Sequence, residues 1–237
     1  PGMEKLFDCH GPQPTVDGTP KANRMSLDLA AIRAAHDRIR PHIKRTPVLT
    51  SEVLNLACGA RLSFKCENLQ AAGAFKSRGA CNAVFSLTEA EAAHGVVTHS
   101  SGNHAAALAR AAQLRGIVAH IVMPAGSPQS KVRNVESYGG RITYCEPGLD
   151  AREAACAQIA ARTGAALVHP FDDLRVIAGQ GTATVELLED LPGLDLILCP
   201  VGGGGLLCGT AVAAKALQPA IGVIGVVRAL ADDVAQS

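Results

Sequence analysis

The sequence predicts an α/β protein, a mostly parallel sheet covered by helices on both faces. Short apolar runs alternate with runs of helical period through most of the chain, and that alternation with short connections builds parallel sheets. The chain is 48 % apolar but only 3 % aromatic, with no Trp. Its core is therefore Ala, Val, Leu and Ile, the residues of strands buried on both faces. Gly- and Ser-rich segments fall where a strand passes into a helix, the place where open α/β sheets bind ligands. At 237 residues there is material for one large or two modest domains.

Residues 1–24 are rich in Pro, Gly and polar residues and lack periodicity. They read as a disordered lead or added sequence ahead of a natural start at Met25. Leu27, Leu29, Ile32, Ala35 and Ile39 then recur at helical spacing, with Ser26 or Asp28 as cap. Pro41 limits that helix, and Thr46-Pro47-Val48-Leu49 is extended. Beyond it the patterns predict strands at 61–66, 95–98, 117–123, 141–145, 166–168, 194–199 and 223–227. Helices are predicted at 77–87, 103–114, 128–138, 150–162, 181–191 and 206–217. There is no internal repeat and no low-complexity linker.

The net charge of +1 gives no footprint for nucleic acid or an acidic membrane. The eight cysteines form no C-x-x-C pair, and several lie in apolar runs. Buried thiols of a cytoplasmic protein account for them better than disulfides or zinc. No apolar run of membrane-spanning length is present, and no signal peptide is expected.

Four stretches carry chemistry. In Gly73-Ala74-Phe75-Lys76-Ser77-Arg78-Gly79 a lysine opens a helix between two glycines. A lysine there can meet an electrophilic carbonyl that also bears a phosphate; taken alone, the stretch is better explained by a solvated lysine at a helix start. Thr98-His99-Ser100-Ser101-Gly102-Asn103-His104 follows a strand and opens a helix. Its hydroxyls, amide and free N–H groups suit a carboxylate or phenolic oxygen, although ordinary capping by serine accounts for either Ser100 or Ser101 alone. No Cys, Asp or Glu cluster accompanies His104, which reads as structural. Pro200-Val201-Gly202-Gly203-Gly204-Gly205-Leu206 lies between strand and helix, and its glycine run suits a turn whose N–H groups wrap a phosphate. The spacing is neither a dinucleotide fingerprint nor a P-loop. Val176-Ile177-Ala178-Gly179-Gln180-Gly181-Thr182 reads as a Gly-rich helix start.

In this order and spacing the stretches resemble the serine/threonine dehydratase and serine racemase family, the fold-type II pyridoxal-phosphate enzymes of tryptophan-synthase-β-like fold. The resemblance runs from about Leu27 to Ser237. It implies that Lys76 holds pyridoxal 5'-phosphate as a Schiff base and that Phe75 lies against the ring. It also implies that Asn103 touches the ring hydroxyl and that Gly202, Gly203, Gly204, Gly205 and Leu206 bind the phosphate. Ser100, Ser101, Gly102 and Asn103 would meet the substrate carboxylate. Lys76 would remove the α-proton, with Ser101 facing the other side of the substrate Cα. The implied domains are a large cofactor-binding one, 25–92 and 171–237, and a small one, 93–170, that closes over the substrate.

The pattern departs from the family in two places. Relatives with a divalent-metal site carry Gly-Val-Glu-Pro where this chain has Gly225-Val226-Val227-Arg228. Val227 stands at the glutamate position and only Ala231 and Asp233 remain of the other ligands, so no metal is expected. Relatives also continue past the position of Ser237 and supply a group to the pyridine nitrogen. A sheet short of its last elements exposes apolar surface, and the chain is expected to self-associate, as a dimer. The leading expectation is dehydration and deamination of serine, threonine or 3-hydroxyaspartate, with serine racemisation as the alternative. Another class of reading is a cofactor-binding but catalytically impaired or structural protein. A hydrolase on this scaffold has little support, since no G-x-S-x-G elbow is present.

Overall fold

The computed structural model describes residues 27–227. The expected lead at 1–24 and the positions Ala231 and Asp233 lie outside the described residues. The elements are α1 (Leu29–Ile39), β1 (Val48–Thr50), α2 (Glu52–Cys58), β2 (Ser63–Lys65), α3 (Lys76–Phe85), α4 (Glu89–Ala92), β3 (Val96–His99), α5 (Asn103–Arg115) and β4 (Ala119–Pro124). They continue with α6 (Gln129–Ser137), β5 (Arg141–Cys145), α7 (Leu149–Thr163), β6 (Ala166–Leu167), α8 (Leu174–Asp190), β7 (Leu196–Pro200), α9 (Gly205–Leu217) and β8 (Gly222–Val226).

The predicted parallel sheet is present as four strands in the order β5-β4-β3-β6, all parallel. Its centre is dry: Val96, Val97, Ile121, Val122 and Met123 are fully buried. Helix α5 packs on this sheet with Ala105 to Ala109 all buried, so its Ala run reads as an interior helix rather than a surface one. On the opposite face Cys156 and Ile159 of α7 pack against Val97 and Val122. β7 and β8 form a separate parallel pair, with Leu198 facing Ile224 in register.

Sequence and structure differ in several elements. β1 and β2 pair antiparallel, so not every strand follows the parallel rule. α2 and α4 were not expected from periodicity. α2 is a seven-residue helix with no buried residue, and α4 is one turn held by a capping box between Thr88 and Glu91; neither is long enough to show an apolar stripe. Of the seven described cysteines, all free, only Cys81, Cys156 and Cys199 are buried, so burial explains fewer thiols than expected. At the N-terminus Asp28 rather than Ser26 caps α1, accepting from Ala31 N at 2.8 Å.

α8 differs most. It was expected to start at residue 181 but begins at Leu174 behind the cap Asp173. The glycines that suggested a helix start lie in its middle and serve packing. A Cβ at Gly179 would lie 2.6 Å from the carbonyl oxygen of Arg78 in α3, and one at Gly181 would lie 2.8 Å from Gly209 O in α9. Both distances are impossible for a real side chain, so backbone meets backbone on either side of α8. No helix among the described residues is long and apolar enough to cross a membrane.

Candidate active site

Lys76 is the first residue of α3, and Phe75 stands at its N-cap. The chain reaches it through two short 3-10 turns. Gln70 pins them to the backbone of Lys44, with bonds of 2.8 and 2.7 Å; Ser77 Oγ then donates to Ala71 O. Behind Lys76 lies a buried ionic knot. Arg78, with no exposed surface, bonds both oxygens of Glu67 and both of Glu186. Lys65 Nζ adds a contact of 2.7 Å to Glu186. Because each charge is paired and hydrogen-bonded, the knot ties β2, the first 3-10 turn, α3 and α8 into one support.

The amine of Lys76 donates to Pro170 O at 2.7 Å. The Phe75 ring centroid is 5.4 Å from that nitrogen. Burial lowers the Lys76 pKa to about 8, which leaves about a tenth of the amine uncharged at pH 7.

Pro170 reaches this point because β6 pairs with β3, with Val168 N bonding Val97 O at 2.9 Å. Just beyond, His169 Nδ1 accepts from Asp172 N at 2.9 Å and closes a turn. The turn presents the ring of Phe171 to the tetraglycine segment: a Cβ on Gly203 would lie 2.2 Å from that ring, and one on Gly205 would lie 2.9 Å from Phe171 O. Lys76 thus meets Pro170 and the glycine turn meets Phe171, adjacent residues of one turn. Gly204 has φ +82 and caps α9 without a side-chain bond. Neighbouring Gly202 has open space where a Cβ would stand. The first-turn N–H groups of a helix have no partner within it, and the positive end of the helix dipole gathers there, so the turn suits an anion.

Ser100 to Asn103 extend from the carboxyl end of β3. Ser100 N bonds Val122 O at 3.1 Å, and its hydroxyl accepts from Gly102 N at 3.2 Å. Ser101 and Gly102 are half-buried, as is Leu206 in the first turn of α9. Asn103 Oδ1 accepts from Lys131 Nζ of α6 at 3.1 Å. His104 is buried, and neither ring nitrogen has a hydrogen-bond partner of good geometry. Burial, then the nearby charge of Lys76, push its pKa down to about 3, so the ring is neutral.

The residues missed in the sequence are His169, Pro170, Phe171 and Lys131. A strand followed by a Pro is the one signal that marked the 169–171 segment; Lys131 gave none. His99, Glu153 and His169 bring ligand-type atoms within 4.8 Å of one another. The tautomer argues against a cation there. Nδ1 of His169 accepts a backbone N–H, so the ring proton sits on Nε2, where a metal would need a lone pair. Burial first, then His169 and Arg152, lower the pKa of His99.

Residues 39–237 match the family described as pyridoxal-phosphate dependent enzyme. The chain belongs to that family. It is 53 % identical over 219 residues to a serine racemase of Arabidopsis thaliana, covering 92 % of this chain and 66 % of the relative. It is 54 % identical over 204 residues to a beta-hydroxyaspartate dehydratase of Paracoccus denitrificans, covering 86 % and 65 %. The crystal structure of serine racemase from Dictyostelium discoideum superposes with a TM-score of 0.86 at 49 % identity, over 89 % of this chain and 69 % of that one. The chain therefore spans a little under two thirds of the length of the first two relatives. The fold is that of the fold-type II pyridoxal-phosphate enzymes, as the sequence predicted.

Proposed function

We propose that this chain carries the catalytic body of a pyridoxal-phosphate enzyme that acts at the Cα of small 3-hydroxy amino acids, with racemisation of serine as the first reading and loss of water as the second. Sequence reasoning placed the two in the reverse order. Serine racemases from plant, slime mould and human share 45 to 53 % identity with the chain, and the dehydratase of Paracoccus denitrificans shares 54 %.

One observation carries the reading: the buried, low-pKa amine of Lys76 bonds Pro170, and the glycine turn packs on the next residue, Phe171. The residues fit the cofactor. The turn is open at Gly202, where a Cβ would meet nothing, the start of α9 suits a phosphate, and Lys76 is an amine close enough to neutrality to condense with an aldehyde. Lys76 would hold the aldehyde carbon, Gly202 to Gly205 with Leu206 the phosphate, Phe75 a ring face and Asn103 the ring hydroxyl. When bound, the cofactor supplies an electron sink for charge left at Cα. Lys76 takes the α-proton, and its lowered pKa keeps part of it in the base form near neutral pH. Ser100, Ser101 and Gly102 orient the substrate carboxylate from the end of β3. Ser101, whose hydroxyl takes part in no hydrogen bond described among residues 27–227, is the group that returns a proton from the other side. The small domain, 93–170, closes over the substrate and shuts water out.

The test combines a spectrum with product analysis. Protein mixed with pyridoxal phosphate gains an absorption band near the visible edge, absent in Lys76→Ala. Incubation with L-serine then yields D-serine, and pyruvate as the lesser product. Ser101→Ala loses D-serine formation and keeps pyruvate formation. Pyruvate without D-serine in the wild type would restore the dehydratase reading, and no band at all would overturn both.

A further inference from the structure

We propose that Lys131 is a positioning residue: it sets which end of the Asn103 side-chain amide faces the cofactor, and so favours the ionised form of the cofactor's ring hydroxyl. This rests on the functional reading above, in which Asn103 meets that hydroxyl. An asparagine amide offers an acceptor at one end and two donors at the other, and a half-turn exchanges them. An ammonium has three donors and no acceptor, so only Oδ1 can face it. The 3.1 Å bond from Lys131 Nζ to Asn103 Oδ1 therefore leaves the NH2 end for the cofactor. An NH2 facing the ring oxygen stabilises the oxyanion, whereas Oδ1 there would require the oxygen to keep its proton.

The geometry gives Lys131 the means. Val132 and Val135 seat α6 on the core, and Lys131 lies on the same helix with its side chain half-buried. No carboxylate forms an ion pair with Lys131 among the described residues, so its charge is not drawn away from Asn103. A cation beside the amide also favours an oxyanion by direct attraction, in the same sense as the hydrogen bond. The constraint spans two elements, α5 and α6, so the amide is fixed before any ligand arrives.

The experiment is the absorption spectrum of cofactor-loaded protein without substrate, with bound cofactor quantified separately after denaturation. The ratio of the visible-edge band to the near-ultraviolet band reports the protonation of the ring oxygen and the imine. In Lys131→Met the ratio falls by about fivefold, the weight of one hydrogen bond, at unchanged loading. Lys131→Arg, which also only donates, restores it. In an Asn103→Ala background, Lys131→Met shifts the ratio by less than half as much, the part due to direct attraction alone. An unchanged ratio in Lys131→Met, or a full additional shift in the double variant, overturns the inference and leaves the functional reading standing. Absence of any band in the wild type overturns both.

Discussion

Arg78 and Glu186 face each other fork to fork, two bonds of 2.8 Å with the arginine fully buried. This pair lies two residues beyond Lys76 and ties α3 to α8. Removing one partner leaves a buried charge without compensation. Arg78→Met costs about 3–5 kcal/mol, read as a lower urea midpoint. Burial alone would raise the Glu186 pKa, but Arg78 and Lys65 outweigh it and hold the carboxyl below its usual value. The stabilisation from that shift is full above the ordinary carboxylate range and is lost as pH falls through the lowered value. Glu186→Gln lacks that part of the acid dependence.

Lys76 costs stability at neutral pH, where Glu186 adds it. Its folded pKa of about 8 lies below its usual 10.5. Between those values the unfolded chain binds more protons than the folded one, so cofactor-free stability rises with pH across that window and carries the full penalty below it. Lys76→Met removes the penalty and stabilises the cofactor-free protein by about 2 kcal/mol at pH 7, after allowance for the lost bond to Pro170. Thermal melts of the two proteins from pH 6 to about pH 10 check both the size and the slope. A destabilised variant would contradict the burial of the amine.

Gly203 and Phe171 occupy one space. Gly203→Ala puts a methyl into the Phe171 ring and forces the turn away from it. Affinity for pyridoxal phosphate falls by about tenfold or more, the effect of 1–3 kcal/mol of overpacking, measured by equilibrium dialysis. Phe171→Leu in the same chain recovers part of the loss. No recovery would mean the turn is sensitive for a reason other than this contact.

Leu198, Ile224 and Val226 form an apolar strip on β7 and β8 and are half or more exposed, to within a percent or two. Parallel strands are ordinarily covered on both faces, and two strands alone are marginal. The purified chain is expected to sediment as a dimer, and Leu198→Lys with Ile224→Lys returns it to monomer. A wild-type monomer at micromolar concentration would rule this out.

Lys76 and the glycine turn were legible because the lysine stretch, the Ser-Ser-Gly-Asn-His stretch and the glycine run occur together in one order, where each alone has a plainer use. Pro170 was not, because it acts through a backbone carbonyl, a group every residue carries; only the pairing of β6 with β3 brings it to Lys76. Gly179 and Gly181 were misread for a related reason. In a sequence, a glycine needed for close contact looks like one needed for a turn, and only the neighbours across α8 distinguish them. β1 and β2 escaped the parallel rule because three-residue strands carry too little pattern to declare a direction.

The glycine contacts of α8 make that helix a calliper. Gly179 holds α3, whose first residue is Lys76, and Gly181 holds α9, whose first residue is Gly205. The span between amine and glycine turn is therefore set by the bare thickness of one helix backbone. A single added methyl at Gly179 or Gly181 opens the jaws by a fraction of its own width without touching any group that would meet a ligand. Sensitivity to substitution should accordingly run along the interior of α8, remote from the reacting atoms, and a map of tolerated changes would trace the instrument as clearly as the site it measures.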